Sequence, residues 1–199
     1  MQYFKVIGTT PIKFVIEMGL GVCIEEWYTL AQKLQDMGSV LLYERAGIGR
    51  STESQYTRTP KVIAKELHDL MLYVKCEEKI ILIAHSQGGL YAQQYIRLFP
   101  EEVEGIILIE PLSARDYIFK EQLTEKEYAQ SGIDKSRNLL LFEKLSRLRL
   151  GWIVKKMMNN APPLYYAKFP EKDMEIILDS YTNITHLRTS YQEYYNAHV

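Results

Sequence analysis

The stretch I-I-L-I-A-H-S-Q-G-G-L, residues 80–90, decides the fold of this chain. Its aliphatic first half predicts a strand buried on both faces, as in the centre of a parallel sheet, and a helical pattern follows at once. Ser86 lies on the turn between them, with the small residues Ala84 and Gly88 on either side. Such a turn presents a serine hydroxyl at a helix N-terminus, where backbone N–H groups favour negative charge. We predict Ser86 as a nucleophile and the N–H of Gln87 as an oxyanion donor. The alternative is a glycine-rich turn without chemistry.

Two glycine-rich turns precede this stretch, and each follows an apolar run. Residues 12–16 predict a strand, and Gly19-Leu20-Gly21 comes shortly after it. Residues 39–43 predict another strand, which leads into E-R-A-G-I-G-R-S at 44–51. Glycines on both sides of Leu20 allow the backbone to approach a ligand closely.

Strands and helices alternate as parallel βαβ units require. Helices are predicted over about 24–37, from Thr59-Pro60 onward and over 90–99, and 103–109 predicts a further buried strand. Right-handed crossovers then give an open, mostly parallel, doubly wound sheet. Ligands bind such sheets at the carboxyl ends of the strands, where Leu20, Ser86 and Glu110 fall.

The pattern changes after Pro111, because we find no convincing strand from there to Val199. One amphipathic helix is predicted over about 139–152 and another over about 174–181. We therefore predict three parts: a core at 1–111, a helical cap or lid at 112–182, and a final helix at 183–199.

The three motifs together resemble the α/β-hydrolase superfamily of serine esterases and lipases, over roughly residues 14–111. In that resemblance Gly19-Leu20-Gly21 is the loop that follows the third strand, 43–51 is the tyrosine–acid–arginine–glycine stretch, and 84–88 is the nucleophile elbow. The resemblance implies an acyl-enzyme mechanism at Ser86, with the N–H groups of Leu20 and Gln87 as the oxyanion hole. It also implies no cofactor. Met18 stands where the family often has histidine, which leaves the backbone donor intact.

The base and the acid are harder to assign. The family takes them from strands that would follow the cap, and the chain is expected to lack these C-terminal strands because its last predicted element is a helix. Two candidates remain within the sequence: Glu110 as the orienting acid and His186 as the base.

Composition narrows the other function classes. The net charge of −1 gives no electrostatic reason to expect nucleic acid or an anionic membrane as a partner. No run of residues suits a membrane span or a signal peptide, so a cytoplasmic location is expected. Cys23 and Cys76 are expected to be reduced thiols, and no cluster of metal ligands is evident.

Three hypotheses therefore stay open. The chain is a serine hydrolase of ester-like small molecules that is either active or inactive in this 199-residue form. Alternatively, it is a non-catalytic ligand-binding module that keeps the pocket. In the third hypothesis it is one part of an assembly, because the exposed edge of its sheet allows another chain to pair there.

Overall fold

The computed structural model describes residues 1–115, 117–130, 134 and 136–198. Five strands form one sheet in the order β1-β3-β2-β4-β5. The strands are β1 (Phe4–Ile7), β2 (Ile12–Glu17), β3 (Ser39–Tyr43), β4 (Ile80–His85) and β5 (Val103–Ile109). β1 is antiparallel to β3, and the other three pairings are parallel. The predicted mostly parallel sheet is confirmed.

Ten α-helices accompany the sheet in the described part of the chain. Three of them belong to the strand–helix alternation: α1 (Tyr28–Leu34), α2 (Pro60–Tyr73) and α3 (Gly88–Leu98). Seven follow β5: α4 (Tyr117–Gln122), α5 (Glu125–Gln130), α6 (Ser136–Arg147), α7 (Gly151–Asn159), α8 (Pro162–Ala167), α9 (Glu171–Ser180) and α10 (Ile184–Tyr195). Short 3-10 turns occupy Ile24–Trp27 and Pro100–Glu102. None of the described helices combines the length and the apolar character that crossing a membrane requires.

Side chains alternate between the two faces of the sheet, and each face has its own hydrophobic core. Val15, Leu41 and Leu82 pack on one face against α2 and α3. Ile16, Leu42 and Ile83 lie on the opposite face, where α1 and the 3-10 turn cover them. All five residues of β3 are buried, as a strand covered on both faces must be.

The register brings the carboxyl ends of the central strands together. Glu17 at the end of β2 pairs with Ala84 of β4, and His85 pairs with Ile109 of β5. The loops that follow these three strands therefore meet at one edge of the sheet, which is the edge where ligands bind in such folds.

Three predictions about individual elements need correction. Residues 24–37 do not form one helix, because a 3-10 turn comes first and α1 ends at Leu34. Residues 139–152 form parts of two helices, α6 and α7, which are separated where Arg149 adopts a positive φ of 60°.

The third correction concerns β5, whose apolar sequence predicts a buried strand. Its bounds match the prediction, but Ile107 is 49% and Leu108 43% exposed. β5 is the last strand in the sheet order, so one of its edges has no strand partner among the described residues. An apolar sequence indicates that a strand suits an apolar environment, but it does not indicate that both faces of the strand are covered. Here part of the apolar surface of β5 faces solvent.

Candidate functional site

Ser86 occupies the turn between β4 and α3 in a backbone conformation that L-residues rarely adopt. Its φ is 52°, and it is one of five described non-glycine residues with a positive φ. Its backbone N–H donates to Ile109 O (3.1 Å), and its carbonyl accepts from Gly89 (3.0 Å) and Leu112 (2.8 Å). Such strain persists only where the surroundings enforce it, and it concentrates at functional sites. The turn has the strand–elbow–helix geometry predicted from residues 80–90.

The two glycines after Ser86 are required by close packing. A Cβ on Gly88 would lie 2.3 Å from the carbonyl oxygen of Glu17 and 2.7 Å from that of Met18. A Cβ on Gly89 would lie 2.7 Å from Pro111 Cβ. The N-terminus of α3 is therefore pressed against the end of β2, which brings the elbow close to the glycine loop.

The loop Gly19-Leu20-Gly21 runs between Ser86 and α10. A Cβ on Gly19 would lie 3.3 Å from Ser86 Cβ, and one on Gly21 would lie 3.2 Å from His186 Nε2. Gly21 has a φ of 63°, which favours glycine. The loop thus contacts the nucleophile turn at one end and α10 at the other, with Leu20 in the middle.

A cavity of about 550 Å³ opens over this loop and the elbow. Ser86, Leu20 and Gln87 all line it. Most of the remaining lining comes from Leu112 and from helices that follow β5, and it is mostly apolar: Leu112, Leu139, Phe142, Met158, Tyr181 and Leu187, with Asn138, Ser190 and Tyr194 as polar members. The described lining residues include no Asp, Glu, Lys or Arg, so this cavity suits an uncharged ligand.

A second depression, of about 560 Å³, lies beside β1 and the end of α2 and is lined by Cys76, Lys75 and Glu78, among others. Burial raises the pKa of the Cys76 thiol, which makes it a poorer nucleophile at neutral pH. The chemistry therefore favours the cavity at Ser86.

His186 also lines the Ser86 cavity, but its ring is fully buried and bonded on both sides. Its Nδ1 accepts from the Gly49 N–H at 3.0 Å, and the other side of the ring bonds to the backbone of Gly21. Burial lowers its pKa from 6.5 to about 4, so the ring is neutral at pH 7. With Nδ1 as acceptor, Nε2 carries the proton. The lone pair that a general base needs is thus used to hold Gly49.

Glu110, the candidate acid, follows β5 with a φ of 43° and is exposed. Its charge reaches His85, where it raises the pKa while burial, the larger effect, lowers it. The Nδ1 of His85 is buried without a hydrogen-bond partner, and its ring packs against Trp27 at 5.5 Å. The structure therefore associates Glu110 with His85 and not with His186.

The other two histidines lie away from the cavity. His68 stacks on Phe99 and its Nδ1 is 2.8 Å from Glu102, while His198 lines a different depression beside Pro60. One cavity is therefore lined by Ser86, Leu20, Gln87, His85 and His186, and among the described residues no hydrogen bond joins either histidine to Ser86.

Sequence reasoning missed a buried face of α10. His186, Thr189, Ser190 and Glu193 are all buried, at the spacing of one helical face. A Cβ on Gly47 would lie 2.2 Å from Thr189 Oγ1, which explains the glycine in the second motif. Polar residues at this spacing usually predict a solvent-facing stripe, and only the i, i+3, i+4, i+7 pattern itself could have indicated otherwise.

Glu193 belongs to a buried chain of charges that links α10 to the glycine loop. Its carboxylate accepts from Arg45 Nε (3.0 Å) and Nη2 (2.8 Å), and Arg45 Nη1 donates to Glu17 at 2.9 Å. Tyr43 donates to the other oxygen of Glu17. Burial raises the pKa of Glu17 to about 7, which the charge of Arg45 partly offsets. Arg58 Nη2 lies 3.6 Å from Glu193 Oε1, the oxygen that also accepts from Arg45 Nε.

One group of possible metal ligands occurs among the described residues. The ligand atoms of Cys23, Glu25 and Glu44 lie within 4.8 Å of one another. Arg50 already pairs with both carboxylates, at 2.8 Å to Glu25 and 2.5 Å to Glu44. Burial also raises the pKa of the Cys23 thiol. A guanidinium thus occupies the place of a cation, and we assign no metal to this group.

Comparison with known proteins gives a consistent result. The family model described as the alpha/beta hydrolase fold matches residues 14–196. Among curated proteins, the chain is 26% identical over 175 residues to "Putative methylesterase 14, chloroplastic" of Arabidopsis thaliana, covering 84% of this chain and 49% of the relative. It is 28% identical over 122 residues to abhydrolase domain-containing protein abhd-5.2 of Caenorhabditis elegans, covering 59% of this chain and 27% of the relative.

Solved structures show the same fold. A thermophilic esterase from Thermogutta terrifontis matches with a TM-score of 0.64 at 20% identity, covering 96% of this chain and 66% of that one. The chain spans half or less of the length of the two curated relatives, at 49% and 27%. Because the family model covers nearly the whole chain and the elbow, sheet and helices have the corresponding geometry, this protein belongs to the α/β hydrolase fold family.

Proposed function

We propose that this protein is a serine hydrolase of uncharged carboxylic esters, with Ser86 as the nucleophile of an acyl-enzyme mechanism. The observation that carries the proposal is the strained φ of 52° at Ser86, which sets the residue at the N-terminus of α3 and at the wall of the cavity. In the proposed reaction Ser86 Oγ bonds to the ester carbonyl carbon and the alcohol leaves with a proton. Water then releases the acid.

The proposed oxyanion hole consists of the backbone N–H groups of Leu20 and Gln87. Both residues line the cavity beside Ser86, and Gln87 lies at the start of α3, where the helix dipole also favours negative charge. In α/β hydrolases the residue after the nucleophile has this role. Removing one such donor from a hydrolase lowers its turnover by about 10²–10³-fold.

The cavity supports the substrate class. Its apolar wall and its lack of charged side chains among the described lining residues favour a neutral acyl chain over a carboxylate or phosphate ligand. One relative is named as a methylesterase, and this name supports an ester as the substrate. We propose small-molecule esters as the substrates and no cofactor.

The proposal assigns no base. The Nδ1 lone pair of His186 accepts the Gly49 N–H, and Glu110 is exposed beside His85. We therefore retain neither His186 as the base nor Glu110 as the acid. An oxyanion hole and substrate binding without a complete triad give rates about 10³–10⁴-fold above water. We therefore expect slow turnover of activated esters by this 199-residue chain.

A second candidate is a non-catalytic module that binds a neutral ligand in the same cavity. The observation that favours it is the bonding of His186 on both sides of its ring. A third candidate is an assembly in which another chain adds a strand to the edge of β5 that has no strand partner among the described residues, and so completes the site; Ile107 and Leu108 of β5 are partly exposed.

Labelling with an alkyl fluorophosphonate followed by peptide mass spectrometry separates the first two candidates. The hydrolase proposal predicts one adduct, on Ser86, that is absent from Ser86→Ala. Ser190→Ala is the matched control, because Ser190 lines the same cavity but its hydroxyl donates to His186 O at 2.8 Å. Labelling that survives in Ser86→Ala, or no labelling of the folded protein, would overturn the hydrolase proposal.

Turnover of p-nitrophenyl acetate tests the missing base. Without a base, we expect most of this slow turnover to come from direct attack of water on ester bound in the oxyanion hole, so Ser86→Ala should change the rate less than about tenfold. A loss of several orders of magnitude would show that a working base is present in the chain.

A further inference from the structure

We propose that Arg45, held in place by Glu193 of α10, is the positioning residue that orients the oxyanion loop. Arg45 Nη1 donates to the carbonyl oxygen of Met18 at 2.6 Å, and Nη2 donates to that of Gly19 at 2.8 Å. These two carbonyls immediately precede Leu20, whose N–H is the proposed oxyanion donor. The inference rests on the proposed function for its catalytic meaning, but its structural content does not depend on Ser86 being reactive.

Peptide geometry turns these contacts into a direction for the Leu20 N–H. The carbonyl of Gly19 and the N–H of Leu20 belong to one planar trans peptide unit, in which the two groups point in opposite directions. Arg45 draws the Gly19 oxygen into the buried side of the loop. The Leu20 N–H must therefore point away from Arg45. A Cβ on Gly19 would lie 3.3 Å from Ser86 Cβ, so this end of the loop lies against the elbow.

Glu193 fixes the guanidinium in turn. Its two oxygens take Arg45 Nε and Nη2 in a bidentate pair, and the two side chains are 0% and 2% exposed. A bidentate pair has both charge and planar geometry, which a lysine cannot reproduce. Arg45 and Glu193 are 148 residues apart, so the last described helix determines the geometry of a loop near the start of the chain.

The second proposed donor touches the same arginine. The Arg45 guanidinium lies over the ring of Tyr91 at 5.0 Å, and Gln87 Nε2 donates to the Tyr91 hydroxyl at 2.5 Å. Arg45 is thus in contact with the peptide of Leu20 and one side chain away from Gln87. A single buried cation thus bonds directly to the peptide of Leu20 and reaches the Gln87 side chain through Tyr91.

Backbone ¹⁵N relaxation on the full chain tests the proposal without any turnover. In the wild type we expect order parameters near 0.85 at Gly19 and Leu20, as in rigid backbone. Glu193→Gln replaces one acceptor oxygen with a donor and breaks the bidentate pair, and Arg45→Lys removes the planar fork. Either variant should lower the order parameters at Gly19 and Leu20 below about 0.6.

Glu66→Gln is the matched control, because Glu66 pairs with Arg58 at 2.7 Å and not with Arg45. It should leave Gly19 and Leu20 rigid, and Val15 in β2 should stay rigid in all variants. Folded Glu193→Gln and Arg45→Lys proteins with an unchanged loop would overturn the proposal. If neither variant folds, the wild type decides: a flexible loop there, or an Arg45 side chain whose terminal N–H signals show free rotation, would contradict it.

Ester hydrolysis gives the second readout. Arg45→Lys should lower kcat about tenfold or more and leave KM within about twofold, since an oxyanion donor acts on the transition state. A change in KM alone would indicate a merely structural effect on the cavity. A loosened loop in a protein whose Ser86 is never labelled would leave the positioning role intact and would overturn the proposed function.

Discussion

His186 is predicted to make this protein sensitive to acid, and the sign of the effect follows from its burial. The pKa of the ring falls from 6.5 to about 4 because the charged form is desolvated in the fold. A group with a depressed pKa binds fewer protons in the folded state than in the unfolded state. Its contribution to the free energy of unfolding is therefore fully present above pH 6.5. It is lost as the pH falls through the interval from 6.5 to about 4.

The size of the effect follows from the same two values. A tenfold change in proton affinity corresponds to about 1.4 kcal/mol, so His186 should contribute about 3 kcal/mol to the pH dependence of the unfolding free energy. Glu17 and Glu26 act in the opposite direction, because burial raises both carboxyl pKa values to about 7. Their stability contribution is lost as the pH rises from 4.5 to about 7.

Comparing the wild type with His186→Asn isolates the contribution of the histidine to the pH dependence of stability. His186→Asn keeps an acceptor for the Gly49 N–H but cannot be protonated, and the carboxyl groups are common to both proteins. Urea unfolding at pH 7, 6, 5 and 4 should show the stability advantage of the wild type shrinking by about 3 kcal/mol between pH 7 and pH 4. Ser190→Ala, on the same buried face, should show a difference from the wild type that does not vary with pH. A difference between wild type and His186→Asn that varies by less than about 0.5 kcal/mol would refute the reasoning, as would an NMR titration of His186 with a pKa near 6.5.

Three further predictions concern stability and association. Gly88→Ala should lower the urea midpoint by the equivalent of about 1–3 kcal/mol, because its Cβ would meet backbone carbonyls at 2.3 and 2.7 Å. Gly105→Ala in β5, whose Cβ would meet nothing within 4 Å, should have little effect. Equal losses in the two variants would contradict the packing argument. Thr59→Ala should cost about 1 kcal/mol by the same assay, since the Thr59 side chain caps α2 through the Val62 N–H, and no loss would show the cap to be dispensable. Ile107→Lys should abolish concentration-dependent association measured by light scattering, because a charge on an exposed edge opposes strand pairing, and a wild-type protein that stays monomeric would count against the edge as an interface.

The sheet and the elbow were predictable from the sequence because local pattern determines them. β3 and β5 have the predicted bounds, and the small size of the residues on either side of Ser86 is enough to indicate a strained turn. The sequence also indicated that Leu20 and Ser86 would share one edge of the sheet, since both follow parallel strands. In each case the information lies within a few residues of the feature.

The parts that could not be predicted depend on distant partners. Glu193 reads as a solvent-exposed residue on a polar helix, and its partner Arg45 lies 148 residues away. His186 suited a base by its place in the sequence, but its bonds to Gly49 and Gly21 were invisible there. β1 is short and half exposed, so its pattern could not identify an antiparallel edge strand.

The central claim is that Ser86 is a nucleophile that faces the N–H groups of Leu20 and Gln87. The most direct test is a crystal structure of the protein after reaction with an alkyl fluorophosphonate. We predict a bond from phosphorus to Ser86 Oγ, with the phosphoryl oxygen about 2.7–3.1 Å from the backbone nitrogens of Leu20 and Gln87. A phosphoryl oxygen that points away from both nitrogens, or a phosphonate on another residue, would contradict the account.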